Sequence, residues 1–150
     1  MYKVDEHITE LAALLHDIGR TKKGGYQEHH IVGITEAEKI LRDFNYSEDV
    51  IEEIKHCIKS HRRNVGPKPK TIIAEIVANA DAMAHFDALP VLFYWRGRAG
   101  EKIEDVLSWA NGKMKDDWEK KITLPEARKI MKGKYKAIKL LLDSLEYGSK

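Results

Sequence analysis

The sequence predicts an all-α bundle of six or seven helices. Two observations carry this. Apolar residues recur at three- and four-residue spacings along most of the chain. No stretch shows the sustained apolar–polar alternation that a half-buried strand requires.

The elements follow in order. Ile8, Leu11, Leu15 and Ile18 form one stripe, which Gly19 stops. The polar segment TKKGGYQE, residues 21–28, reads as a loop. A second helix spans about 30–44, with Ala37, Ile40, Leu41 and Phe44 inward. Asn45 and Tyr46 break it, and Ser47 suits the N-cap of a third helix carrying Val50, Ile54, Cys57 and Ile58. Gly66, Pro67 and Pro69 forbid its continuation. A fourth helix runs from about Lys70 to Leu89, with Ile73, Ile76, Val77, Ala80 and Ala84 on its stripe. VLFYWRG makes a short helical piece, with its aromatics read as core packing. From Glu101 to Ile122 the stripe is Ile103, Leu107, Ala110, Met114, Trp118 and Ile122. Thr123 and Glu126 have the spacing of a capping box. The last helix buries Ala127, Met131, Tyr135, Ile138, Leu142 and Leu145.

Composition narrows the class. A chain of 150 residues with 43% hydrophobic and 33% charged residues can bury a core as one domain, 1–150. Its 26 basic residues nearly balance 24 acidic ones, so no nucleic-acid footprint is expected. A lone cysteine, Cys57, excludes an intrachain disulfide. No apolar run reaches membrane-spanning length and no signal pattern opens the chain, so the expected location is the cytoplasm.

Polar residues that continue an apolar stripe must find partners, because burying them alone is costly. Asp81 shares a face with Ile73 and Val77, and alone it reads as a structural aspartate capping a neighbouring helix. His61 follows Ile54, Cys57 and Ile58, and reads equally as a core histidine or a ligand. His56 falls on the polar side with Glu52, Glu53 and Lys59. His29 opens the second helix on the face of Gly33 and Ala37, a face small enough for close approach; His30 points about 100° away. His16 and Asp17 lie at the closing turn of the first helix. As a set, these imidazoles and carboxylates suit iron, manganese, zinc or nickel better than calcium.

The segments LAALLHDIG, HHIVG at 29–33, CIKSHR at 57–62 and NADA at 79–82 together resemble the HD superfamily of metal-dependent phosphohydrolases. The resemblance covers residues 5–90 and leaves 91–150 as a helical C-terminal extension. It implies an HD-domain helical bundle with a metal site between central helices. It also implies a ligand set of His16, Asp17, His29, His61 and Asp81, with Asp17 bridging two ions. The family's first histidine lies on a helix upstream of the HD helix. The sole candidate here is His7, which stands nine residues before His16 and so about 180° away on a shared helix. The expectation is therefore a chain lacking the N-terminal helix that carries the first metal histidine, with exposed apolar surface favouring a homodimer.

The implied activity is metal-activated hydrolysis of a nucleotide or another small phosphate ester or anhydride, with His16 and Asp17 at its centre. One or two divalent transition-metal ions, cobalt included, would serve it. Basic loops flank the candidate ligands. Arg20 and Arg62 are the preferred phosphate clamps, Lys68 and Lys70 read as solvated surface, and Gly24-Gly25 would let the first loop act as a lid. Two other readings use the same ligands: an HD-type di-iron oxygenase, and a non-catalytic HD module binding a nucleotide or protein partner.

Overall fold

The computed structural model describes residues 2–22, 25–63 and 65–146. Among them are seven α-helices and no strand. The chain forms two compact units, Met1–Ala78 and Asn79–Lys150. No single helix among the described residues is long and apolar enough to cross a membrane.

The first unit begins with α1 (Glu6–Leu15), where the Asp5 carboxylate accepts the Ile8 N–H at 3.1 Å as an N-cap. The helix stops at Leu15, earlier than the stripe to Ile18 predicts. His16 is its C-cap, and Ile18–Thr21 tighten into a 3₁₀ turn. The second helix, α2 (Gly25–Asp43), begins before the expected boundary, inside the segment read as a loop. Its backbone departs from helical angles at Glu28, so the regular part starts beside His29. Lys23 and Gly24 lie outside the described residues, and Gly24 is one half of the suggested Gly24-Gly25 lid hinge.

The end of α2 is a Schellman motif. Asn45 takes φ +58°, the Tyr46 N–H donates to the Leu41 carbonyl, and the Asn45 N–H donates to the Arg42 carbonyl. That reversal throws Phe44 outward. It is 74% exposed, against the expectation that it closes the inward stripe. Ser47 occupies the N-cap position of α3 (Glu48–Ser60) without a side-chain cap bond; the first turn carries Glu48 and Asp49 and the last carries Lys59, matching the helix dipole. Ala12, Ala37, Leu41, Ile51, Ile54, Cys57 and Ile58 form the core of this unit, joined by Ala74 and Val77 from α4 (Ile72–Asp87). Burial holds the Cys57 thiol well above its ordinary range, with Glu53 adding to the effect, so it is an inert core group.

In the second unit, the rest of α4 is followed by α5 (Leu89–Arg98), α6 (Ile103–Asp116), a π-helical turn (Asp117–Lys121) and α7 (Pro125–Glu146). Ala82, Phe86, Leu89, Ala110, Met114, Ile122, Ala127, Met131 and Leu142 are its buried core. Trp118 stacks on Tyr135 with ring centroids 4.5 Å apart. The α4 stripe is rotated from the expected one: Ala80 and Ala84 face outward while Asn79 and Ala82 are buried. Ile103 and Leu145 are exposed, as are Tyr94 and Trp95, so of the FYWR cluster Phe93 is the apolar residue that packs on the core. Gly100, at φ +86°, ends α5 as Asn45 ends α2.

Two buried polar residues organise this unit. Asn79 accepts the N–H groups of Thr123 and Leu124 on Oδ1 and donates to Thr123 Oγ1, satisfying donors at the start of α7. Asp117 is fully buried, with Oδ2 bonded to His85 Nδ1 and Lys113 Nζ and Oδ1 lying 2.8 Å from Lys121 Nζ. Burial pushes its carboxyl up, but His85, Lys113 and Lys121 outweigh this and hold it well below the usual carboxylate range.

Candidate metal centre

The same local device presents two histidines. His16 ends α1 and His61 ends α3. A helix C-terminus leaves its last carbonyls without intrahelical donors. Each histidine folds back to give its Nδ1 proton to the carbonyl three residues before it, Ala13 and Ile58 respectively, both at 2.7 Å. That bond selects the tautomer: Nδ1 is the donor and the Nε2 lone pair points away from the helix end, the arrangement that orients metal-binding imidazoles.

These lone pairs meet at Asp17. Its Oδ1 lies 3.0 Å from His29 Nε2 and 3.6 Å from His61 Nε2; its Oδ2 lies 3.8 Å from His16 Nε2. One ligand atom from each of Asp17, His29 and His61 falls within 4.8 Å of the others. His16 joins edge-on, with its ring 5.1 Å from that of His61. Asp17 Oδ1 is buried and makes no well-aligned hydrogen bond among the described residues. A buried carboxylate oxygen facing imidazole nitrogens without a well-aligned hydrogen bond is a group that a bound cation would satisfy. The donor set, oxygen with imidazole nitrogen, suits a divalent transition metal. Burial raises the Asp17 carboxyl, but His61, His16 and Arg20 together hold it well below the usual carboxylate range, ionised and ready to ligate.

The close approach of the HD turn to α2 sets these distances. A Cβ on Gly19 would stand 2.1 Å from the His29 carbonyl oxygen and 2.7 Å from the Gly33 nitrogen. The small face read on α2 therefore serves this contact, with Ile58 of α3 also lying against Gly33.

An open cleft of about 660 Å³ adjoins the cluster, lined by Arg20, Glu28, His29, His30, Arg62 and the apolar Ile31 and Val65. Both arginines singled out from sequence line it. Arg20 also donates from Nε to Asp17 Oδ2 at 2.6 Å. His30 does not join the ligand cluster. It sits in the cleft wall with Nδ1 3.4 Å from Arg62 Nη1, and burial, then Arg62 and His61, lower its pKa. Lys22 pairs with Glu36, away from that lining. His56 accepts the Lys70 N–H at 2.8 Å and lies apart from the cluster, as its polar face predicts. His7 contacts Tyr46 at 2.9 Å and does not reach His16. Asp81, the last of the expected ligands, lies in the second unit, where its Oδ1 is 3.7 Å from His85 Nε2.

An all-α chain that brings Asp17, His29 and His61 to one point, with His16 beside them, is a helical domain with a candidate metal centre. A family model described as HD domain matches residues 1–85, and the chain belongs to that family. HD domains bind divalent metals and are usually metal-dependent hydrolases. No curated protein and no solved structure matches the chain.

Proposed function

We propose that this protein is a metal-dependent phosphohydrolase acting on a nucleotide or another small phosphate ester or anhydride. The observation that carries the reading is the adjacency of two features: the Asp17–His29–His61 cluster and a cleft lined by Arg20 and Arg62. Asp17, His29 and His61 would hold the ion, with His16 beside them. A bound divalent ion supplies Lewis acidity and lowers the pKa of a water nucleophile. The chain's own residues do the rest. The arginines offer planar, multiply donating groups to phosphoryl oxygens. Ile31 and Val65 give the organic part of a substrate an apolar wall. The tautomers fixed by Ala13 and Ile58 keep two Nε2 atoms aimed without further reorganisation.

The test is phosphate release from a panel of nucleotides and small phosphate esters by the purified chain with Mn²⁺, Co²⁺ or Zn²⁺, alongside Asp17→Asn. Turnover that disappears in the variant supports the reading. Metal binding with no hydrolysis of any panel member refutes it in favour of a binding module. A mixed-valent iron pair seen by electron paramagnetic resonance, again without phosphate release, refutes it in favour of an oxygenase.

A further inference from the structure

The two oxygens of the Asp17 carboxylate face different partners. Oδ1 is turned to His29 and His61. Oδ2 accepts from Arg20 Nε at 2.6 Å and lies 3.8 Å from His16 Nε2. The same guanidinium reaches His29, with Nη2 3.4 Å from Nε2, and also lines the cleft with Arg62. Arg20 thus stands at the junction of the carboxylate and the anion cleft.

We propose that Arg20 is an exchangeable counter-ion: it balances the Asp17 carboxylate until a divalent ion binds that group, and the displaced guanidinium then binds the anionic group of the substrate in the cleft. This rests on the metal-site reading above and adds a coupling between metal loading and anion binding. Three features support it. A guanidinium and a divalent cation at one carboxylate repel each other, so the two compete for its charge. The Arg20 side chain is 42% exposed on a short 3₁₀ turn, and a long, solvated side chain can move without repacking a core. A guanidinium released from one carboxylate presents the same fork to phosphoryl oxygens, so little binding geometry is lost in the exchange.

Three roles for Arg20 make different predictions for metal affinity in the absence of substrate. An arginine that only supports the turn would, on removal, weaken metal binding. One that only binds phosphate would leave it unchanged. A competing counter-ion would, on removal, strengthen it.

The experiment is a calorimetric Mn²⁺ titration of the full chain without phosphate, comparing wild type, Arg20→Gln, Arg20→Met and Asp17→Asn. Circular dichroism verifies the fold of each. Both Arg20 variants should bind Mn²⁺ roughly three- to tenfold more tightly, the scale of losing one partly exposed, charge-assisted pair. They should also bind inorganic phosphate more weakly in the Mn²⁺-loaded form. Unchanged or weaker Mn²⁺ binding in both variants overturns the exchange. Asp17→Asn separates this from failure of the underlying reading. If wild type binds no Mn²⁺, or Asp17→Asn binds it equally well, the metal site itself is wrong and the exchange falls with it. If Asp17→Asn loses Mn²⁺ and neither Arg20 variant gains affinity, the exchange alone is wrong.

Discussion

Replacing Gly19 with alanine adds one methyl group at the contact that sets the metal-site distances. The new Cβ would meet the His29 carbonyl oxygen at 2.1 Å, the Gly33 nitrogen at 2.7 Å and the His29 carbonyl carbon at 2.8 Å. All three are backbone atoms, so no side-chain rotation relieves the clash. Real Cβ atoms essentially never come within 3.0 Å of such neighbours, so the turn and α2 must part by roughly 0.9 Å. Metal–ligand distances tolerate about ±0.2 Å. A shift more than four times that size falls on the step between Asp17, two residues before Gly19, and His29, whose own carbonyl is struck. The core cost of such overpacking is about 1–3 kcal/mol. Gly19→Ala should therefore remain folded with a lower Tm, yet lose at least an order of magnitude in Mn²⁺ affinity. Thermal unfolding and calorimetry on the same sample check both. Wild-type metal affinity in a folded Gly19→Ala protein would refute the claim that this contact sets the ligand geometry.

Two further outcomes follow from the same structure. His61→Ala should abolish most metal binding while His56→Ala leaves it intact, measured as bound metal per chain by mass spectrometry; equal effects would break the assignment made from the two faces of α3. Asp117→Asn should cost about 3 kcal/mol at neutral pH, the low end for a broken buried pair. The low end applies because burial already holds Lys113 below its ordinary range, easing loss of its proton once the partner is gone. The pH dependence has a definite sign. The folded Asp117 carboxyl lies below its unfolded value of about 3.9, so its stabilisation is complete above about pH 5 and is lost as pH falls through and below that value. Urea unfolding from pH 6 to pH 3 should show the gap between wild type and Asp117→Asn closing; a constant gap would place the stabilisation elsewhere.

Much of the centre was legible in the chain. The three-four rule separated His61 from His56 because a helix face is a property of spacing alone. His29 came with Gly33 and Ala37, and the small face it implied does contact a neighbouring backbone. Each miss has its own physical cause. Phe44 continues a stripe on paper, but the left-handed Asn45 ends the helix beside it and leaves its ring in solvent. Ala80 and Ala84 match the apolar period of α4, yet alanine is small enough to sit on either face, and Asn79 and Ala82 take the buried positions. Asp117 gave no signal, because a carboxylate among lysines near a helix end looks like solvated surface until two lysines and a histidine are seen to converge on it.

By itself the sequence determined the helical class, the order of most elements and the imidazole-and-carboxylate donor types of the candidate centre at Asp17, His29 and His61, with His16 beside them. Those depend on residue type, periodicity and caps, which are local. The tertiary structure decided how the pieces meet: the Gly19–His29 contact that sets the metal-site spacing, the pairing of Arg20 with Asp17, the placement of His30 in the cleft wall, and the use of Asn79 to begin α7. The reason is that periodicity orients a side chain about its own helix axis, whereas the distance to a side chain on another element is set by which backbones can approach and how closely they pack.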